Sequence, residues 1–143
     1  MPNFDALPLS VKNLFQTGDT KTYHTRVTED KLAIFDAGMV HPVYSTFALG
    51  KDVEWACRLF VLEMKEPGEE GVGASLSIEH VYPAPLHSEV CITATLLRVE
   101  KNKVICTWEA HANGHCIAKG EQVQRIIVKE KFDQLIASIA EKL

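Results

Sequence analysis

The sequence predicts an α+β fold with a single antiparallel sheet and one long helix, and three observations carry that expectation. One strand-like segment and one long helical segment come first, and four strand-like segments follow without interruption. Strands grouped after a single helix argue against a parallel array, in which strands and helices alternate. The breaks between the later strands include Lys101-Asn102 and Asn113-Gly114. These fit tight hairpins, and Asn-Gly is the stronger signal because both residues tolerate positive φ. Finally, eight of the ten residues in 53–62 (VEWACRLFVL) are apolar. A surface helix carries one apolar stripe, whereas a helix apolar all round is enclosed.

The elements follow in order. Residues 10–16 (SVKNLFQ) read as a short helical turn ended by Gly18. Residues 19–28 (DTKTYHTRVT) are Thr-rich and suit a strand. Residues 29–44 read as irregular, with Gly38 and Pro42 as breakers. Residues 45–64 form the long helix, capped by Ser45 or Thr46, with Gly50 marking a soft or late start. The stretch 65–72 (KEPGEEGV) is a turn. Strands follow at 73–83, 88–100, 103–111 and 115–128, the first two separated by Pro83 and Pro85. Residues 130–143 close the chain as an amphipathic helix with Phe132, Leu135, Ile136 and Ile139 on one stripe.

Composition excludes several classes. A chain of 143 residues is one ordinary domain, residues 1–143, able to bury a real core without staples. Fifteen basic residues against 19 acidic ones give a net charge of −4, which offers no footprint for nucleic acid. No apolar run approaches the roughly 18 residues of a membrane span. The N-terminal MPNFDALPLSVKN has an early acid and no long apolar core, so it reads as no signal peptide. Cys57, Cys91, Cys106 and Cys116 form no CxxC pair, so they read as reduced thiols of a cytoplasmic protein. His111 and His115 have metal-like spacing, but a turn lies between them and no third ligand is evident. His24, His41 and His87 read as surface or loop residues. Gly71 and Gly73 make no phosphate loop, and no Ser sits in a GxSxG elbow.

Two residues stand out. Glu54 and Arg58 are the polar exceptions on the apolar helix, four apart and on one face. The pair reads either as a salt bridge at a wet edge or as a functional carboxylate beside a cation. On the strand at 73–82, alternation places Ala74, Leu76, Ile78, His80 and Tyr82 on one face. His80 therefore points toward the layer that holds Glu54. Alone it reads as a core histidine satisfied by a carbonyl. Together, a His and a Glu converging from two elements suit acid–base chemistry.

These segments resemble a known family. The order of elements is similar to the hot-dog fold, in which an antiparallel sheet wraps a long central helix. Within it, residues 18–132 resemble the fluoroacetyl-CoA thioesterase type of acyl-CoA thioesterase. The resemblance rests on STFALGKDVEWAC (45–57), EPGEEGVGASLSIEHVYPAP (66–85), WEAH (108–111) and EKF (130–132). It implies hydrolysis of a small acyl-CoA by a catalytic Thr46, Glu54 and His80, with CoA as part of the substrate and no other cofactor. It also implies that Gly73 contacts the thioester through its backbone. The family's Arg in a Gly-x-His-x-Arg stretch, which is tied to substrate contact, falls on Gln124. Arg125 is one residue along and faces the other side of the strand. The lid phenylalanines of the family's type member have Ala37 and Val40 as their nearest counterparts, which argues against fluoroacetyl selectivity. The resemblance further implies a homodimer, or a dimer of dimers, joined edge to edge with active sites at the interface. A non-catalytic acyl-CoA or small-ligand binding protein on the same fold is the alternative. A dehydratase of this fold would carry an Asp/His signature that the sequence lacks. One geometric constraint applies. Eight helical residues rise about 12 Å, so Thr46 and Glu54 do not touch along a continuous helix.

Overall fold

Alternation of exposed and buried residues builds the sheet. In β6 (Glu89–Glu100) and β7 (Lys103–Ala112) nearly every second side chain is buried. The computed structural model describes residues 11–143. Most of the N-terminal stretch read as lacking leader features lies outside the described residues. β1 (Thr20–Arg26), β6, β7, β8 (His115–Val128) and β4 (Glu69–Leu76) follow one another across the sheet, each antiparallel to its neighbour. The two-residue β5 (Glu79–His80) also pairs with β8. The Asn113-Gly114 hairpin forms as expected, with φ of 53° and 79°. At the other hairpin, Lys101 takes φ 56° and Asn102 is fully buried, donating from Nδ2 to the Ile126 carbonyl at 3.1 Å.

The sheet curls around α1 (Thr46–Met64), which packs against β1, β4, β6, β7 and β8. Ser45 caps it by accepting from the Ala48 N–H at 3.1 Å. Helical spacing of Leu49, Val53, Ala56, Phe60 and Met64 puts them on one stripe, fully buried against Ile92, Leu96, Trp108, Ile117 and Ile126. Each large apolar side chain buried this way contributes about 1.5–3 kcal/mol. This is the hot-dog arrangement that the resemblance implied.

Five readings are corrected. Ser10 lies outside the described residues, and 11–16 contain no helix before the turn at Gly18. Residues 29–44 are not irregular. A single 3-10 turn at Glu29–Lys31 leads into a hairpin of β2 (Leu32–Phe35) and β3 (Gly38–Tyr44). The turn read at 65–72 ends early, since β4 begins at Glu69. The strand read at 73–83 is broken at Ser77-Ile78, where the backbone passes directly over Gly120. The helix is also not enclosed on every side, for Phe47 and Trp55 remain 52% and 42% exposed. α2 (Lys129–Ala140) forms, but none of its residues is buried.

A buried polar cluster ties the β2–β3 hairpin to α1. Lys31 Nζ lies 2.9 Å from Asp52 Oδ2, and the Tyr44 hydroxyl donates to the same oxygen at 2.5 Å. Burial, reinforced by the Asp52 carboxylate, drives the Tyr44 hydroxyl well above its usual pKa, so it stays a donor. The segment that sequence alone left unstructured is thus clamped over the helix start.

Candidate active site

Thr46 is the first residue of α1. The Ser45 cap serves Ala48, and the helix itself supplies no partner for the N–H groups of Thr46 and Phe47. Both residues line an apolar cleft of about 420 Å³ at the positive end of the helix dipole. The cleft is lined by Thr46, Phe47 and His80, with Phe35 and Val40 from the hairpin and Tyr82 beyond β5.

The register of β5 on β8, with His80 opposite Ala118, delivers the imidazole to the helix start. His80 Nδ1 lies 3.2 Å from Thr46 Oγ1. With Nδ1 as acceptor, the Thr46 hydroxyl donates to it. Nε2 is buried and has no hydrogen-bond partner among the described residues. Burial pushes the His80 pKa down, and a backbone hydrogen bond at Tyr82 opposes that shift. The net direction keeps the imidazole neutral at pH 7, the form a general base requires.

Glu54 lies two turns further along α1, is exposed, and opens to a separate hollow that also holds Trp55 and Arg58. Its carboxylate occupies the space that a side chain at residue 73 would need. A Cβ added to Gly73 would sit 1.8 Å from Glu54 Oε1. The helical pair expected of Glu54 and Arg58 is replaced by a bridge to the sheet. Arg58 Nη2 reaches Glu70 Oε2 at 3.0 Å, and Nη1 donates to the Gly71 carbonyl at 3.3 Å. Gln124 is 2% exposed and donates from Nε2 to the Glu54 carbonyl at 3.0 Å.

A single chain therefore brings Thr46 to His80, and Glu54 to Gly73 and Gln124, as two groups. Phe47 lines both hollows and stands between them. Of the two lid counterparts, Val40 lines the cleft, while Ala37 sits in the hairpin turn outside the lining. Phe35 is the residue that sequence reasoning missed. It meets Phe47 edge to face at 5.5 Å. The run LAIF before Asp36-Ala37-Gly38 carried its signal, a short apolar strand entering a Gly turn. The remaining histidines do not converge: His115 stacks on Tyr82 at 4.0 Å and His111 lies 3.9 Å from Glu109. Among the described residues, no cluster of three His, Cys, Asp or Glu side chains could hold a metal.

A helix sheathed by a curled antiparallel sheet defines a protein of the hot-dog fold. The profile of the fluoroacetyl-CoA-specific thioesterase family matches residues 27–131, and the chain belongs to that family. It is 30% identical over 91 residues to a fluoroacetyl-CoA thioesterase of Streptantibioticus cattleyicolor, with 64% of this chain and 66% of that protein covered. Among solved structures, a thioesterase superfamily member from Thermus thermophilus superposes with a TM-score of 0.86 at 32% identity, covering 89% of this chain and 94% of the other. A solved fluoroacetyl-CoA thioesterase gives a TM-score of 0.81 at 25% identity, covering 87% and 96%.

Proposed function

We propose that this chain hydrolyses a small, apolar acyl-CoA thioester to free acid and CoA, using Thr46, Glu54 and His80. Membership of a thioester-hydrolase family supplies the reaction class. The observation that carries the site is the 3.2 Å approach of His80 to Thr46 at the mouth of an apolar cleft. Neutral His80 takes a proton from the Thr46 hydroxyl, or from water held beside it. The oxygen so activated attacks the thioester carbonyl. The free N–H groups of Thr46 and Phe47 receive the developing oxyanion. His80 then returns its proton to the departing CoA thiolate; on the route where Thr46 attacks, a water deprotonated by His80 next cleaves the acyl-Thr46 ester, releasing the free acid as the proton returns to the Thr46 oxygen. Gly73 gives the substrate close backbone approach.

The separation of Glu54 from the Thr46–His80 pair supports a site shared between two chains in a homodimer, or in a dimer of dimers. The exposed Phe47 and Trp55 beside Glu54, and the free edge of β4, supply surface for that contact. Complementation tests it. Mixed dimers of Glu54→Ala with His80→Ala contain one site with all three residues if the site is shared, and none if it is not. Random mixing is then expected to restore about a quarter of wild-type activity. Activity no higher than that of the separate variants would show that each chain works alone.

The alternative, a protein that binds acyl-CoA without cleaving it, draws on the same separation of Glu54 from the cleft. Thiol release across acetyl-, propionyl-, benzoyl- and succinyl-CoA distinguishes the two. The lining is mostly apolar, with Phe35, Val40, Val43 and Phe47, and holds no Lys or Arg to neutralise a second carboxylate, so the apolar esters should turn over at least tenfold faster than succinyl-CoA. Melting shifts without thiol release would establish the binding reading. The reduced thiols agree with a cytoplasmic setting. No helix among the described residues is long and apolar enough to cross a membrane.

A further inference from the structure

We infer that Gln124 is a positioning residue for Glu54 and makes no contact with substrate; the inference rests on the assignment of Glu54 to the catalytic set. Three observations meet at one rung of the sheet. First, β8 turns the Gln124 side chain into the core, where it is 2% exposed and lines neither hollow. Second, its Nε2 donates to the Glu54 carbonyl at 3.0 Å. That carbonyl lies inside a continuous helix and already accepts from the N–H four residues on. The amide is thus an additional bond, not one needed to satisfy the helix. Third, the partner of Gln124 across the β4–β8 ladder is Gly73, whose missing Cβ leaves the recess filled by the Glu54 carboxylate. One rung of the ladder therefore holds the backbone of Glu54 and leaves room for its carboxylate.

The choice of glutamine follows from burial. A guanidinium at this inward position would need a counter-charge in the core, whereas a neutral amide needs only the carbonyl it finds. The amide sets the rotation and height of α1 where the carboxylate leaves it. Active-site chemistry is steep in such displacements, a misplacement of about 1 Å costing on the order of a hundredfold.

The test is a double-mutant cycle on the full chain. Gln124→Met keeps length and apolar volume and removes the donor. Expected is a fall in kcat of about tenfold with KM changed less than twofold, and no further fall when Gln124→Met is added to Glu54→Ala. A purely structural role would lower activity by the same factor in both backgrounds, and a substrate contact would raise KM; either overturns the inference. Full activity in Glu54→Ala alone would sink the role of Glu54, and the positioning role with it. Loss in Glu54→Ala with an additive loss in the double variant would sink only the positioning role. Should Gln124→Met fail to fold, Gln124→Asn goes through the same cycle, since its amide is one methylene too short to reach the Glu54 carbonyl.

Discussion

Replacing His80 with alanine is expected to lower kcat by about 10²- to 10⁴-fold, the range that a positioned general base contributes. The half-buried ring approaches Thr46 at 3.2 Å and sits at the edge of the cleft, so the fold should survive its loss. The pH dependence gives an independent reading. Burial disfavours the imidazolium, and the folded pKa lies below the ordinary 6.5. Only the neutral ring accepts a proton, so kcat/KM should be flat through neutral pH and fall only below 6.5. An acidic limb centred above 6.5 would contradict the assignment. Stability carries the same sign. The folded chain binds fewer protons at this site than the unfolded chain does as pH drops below 6.5, so this contribution to stability is lost on acidification. His80→Ala should blunt that loss.

Much of the fold was legible in the sequence because it depends on local periods. Alternation in residues 88–100 and 103–111, the Asn113-Gly114 turn and the apolar run of 53–62 each specify one element with no information from elsewhere in the chain. The hairpin at Leu32–Tyr44 was not legible for a physical reason. Its register slips between Leu32 and Ala33 and again between Ala33 and Ile34, so the period-two signal is scrambled, and Pro42 argues against a strand. Pro42 falls between the rungs at His41 and Tyr44, where the register is broken, and its carbonyl accepts from the Leu86 N–H on the other side. Asp52 and Arg58 show a second limit. Nothing local to Asp52 signals burial, yet Lys31 and Tyr44 draw it into the core. Arg58 looked like a partner for Glu54, yet the strand beside it offers Glu70, and burial of that bridge favours the cross-element pair. The nearness of Thr46 to His80 is set by the break at Ser77-Ile78, and no local period encodes it. Thr46 therefore entered only through resemblance, while Glu54 and His80 were marked by their own surroundings.

Gly73→Ala separates position from presence. The added Cβ would lie 1.8 Å from Glu54 Oε1 and 2.9 Å from its Cδ. No arrangement keeps both atoms in place. The obstructing atoms are the tip of a long, exposed side chain, which can swing away at the cost of a rotamer. Gly73 has no positive φ, so alanine fits the backbone. The melting temperature should stay within a few degrees of wild type, while kcat falls by about 10², approaching the loss in Glu54→Ala although the carboxylate is still present. Gly120→Ala is the contrast. There the Cβ would lie 2.0 Å from the Ser77 carbonyl oxygen, a backbone atom that the hydrogen bond from Ser77 N to Glu121 O holds in place. That variant should lose about 1–3 kcal/mol of stability. Full activity in Gly73→Ala would mean that Glu54 does not work from the recess at Gly73, and the two-group geometry would then not describe the working site.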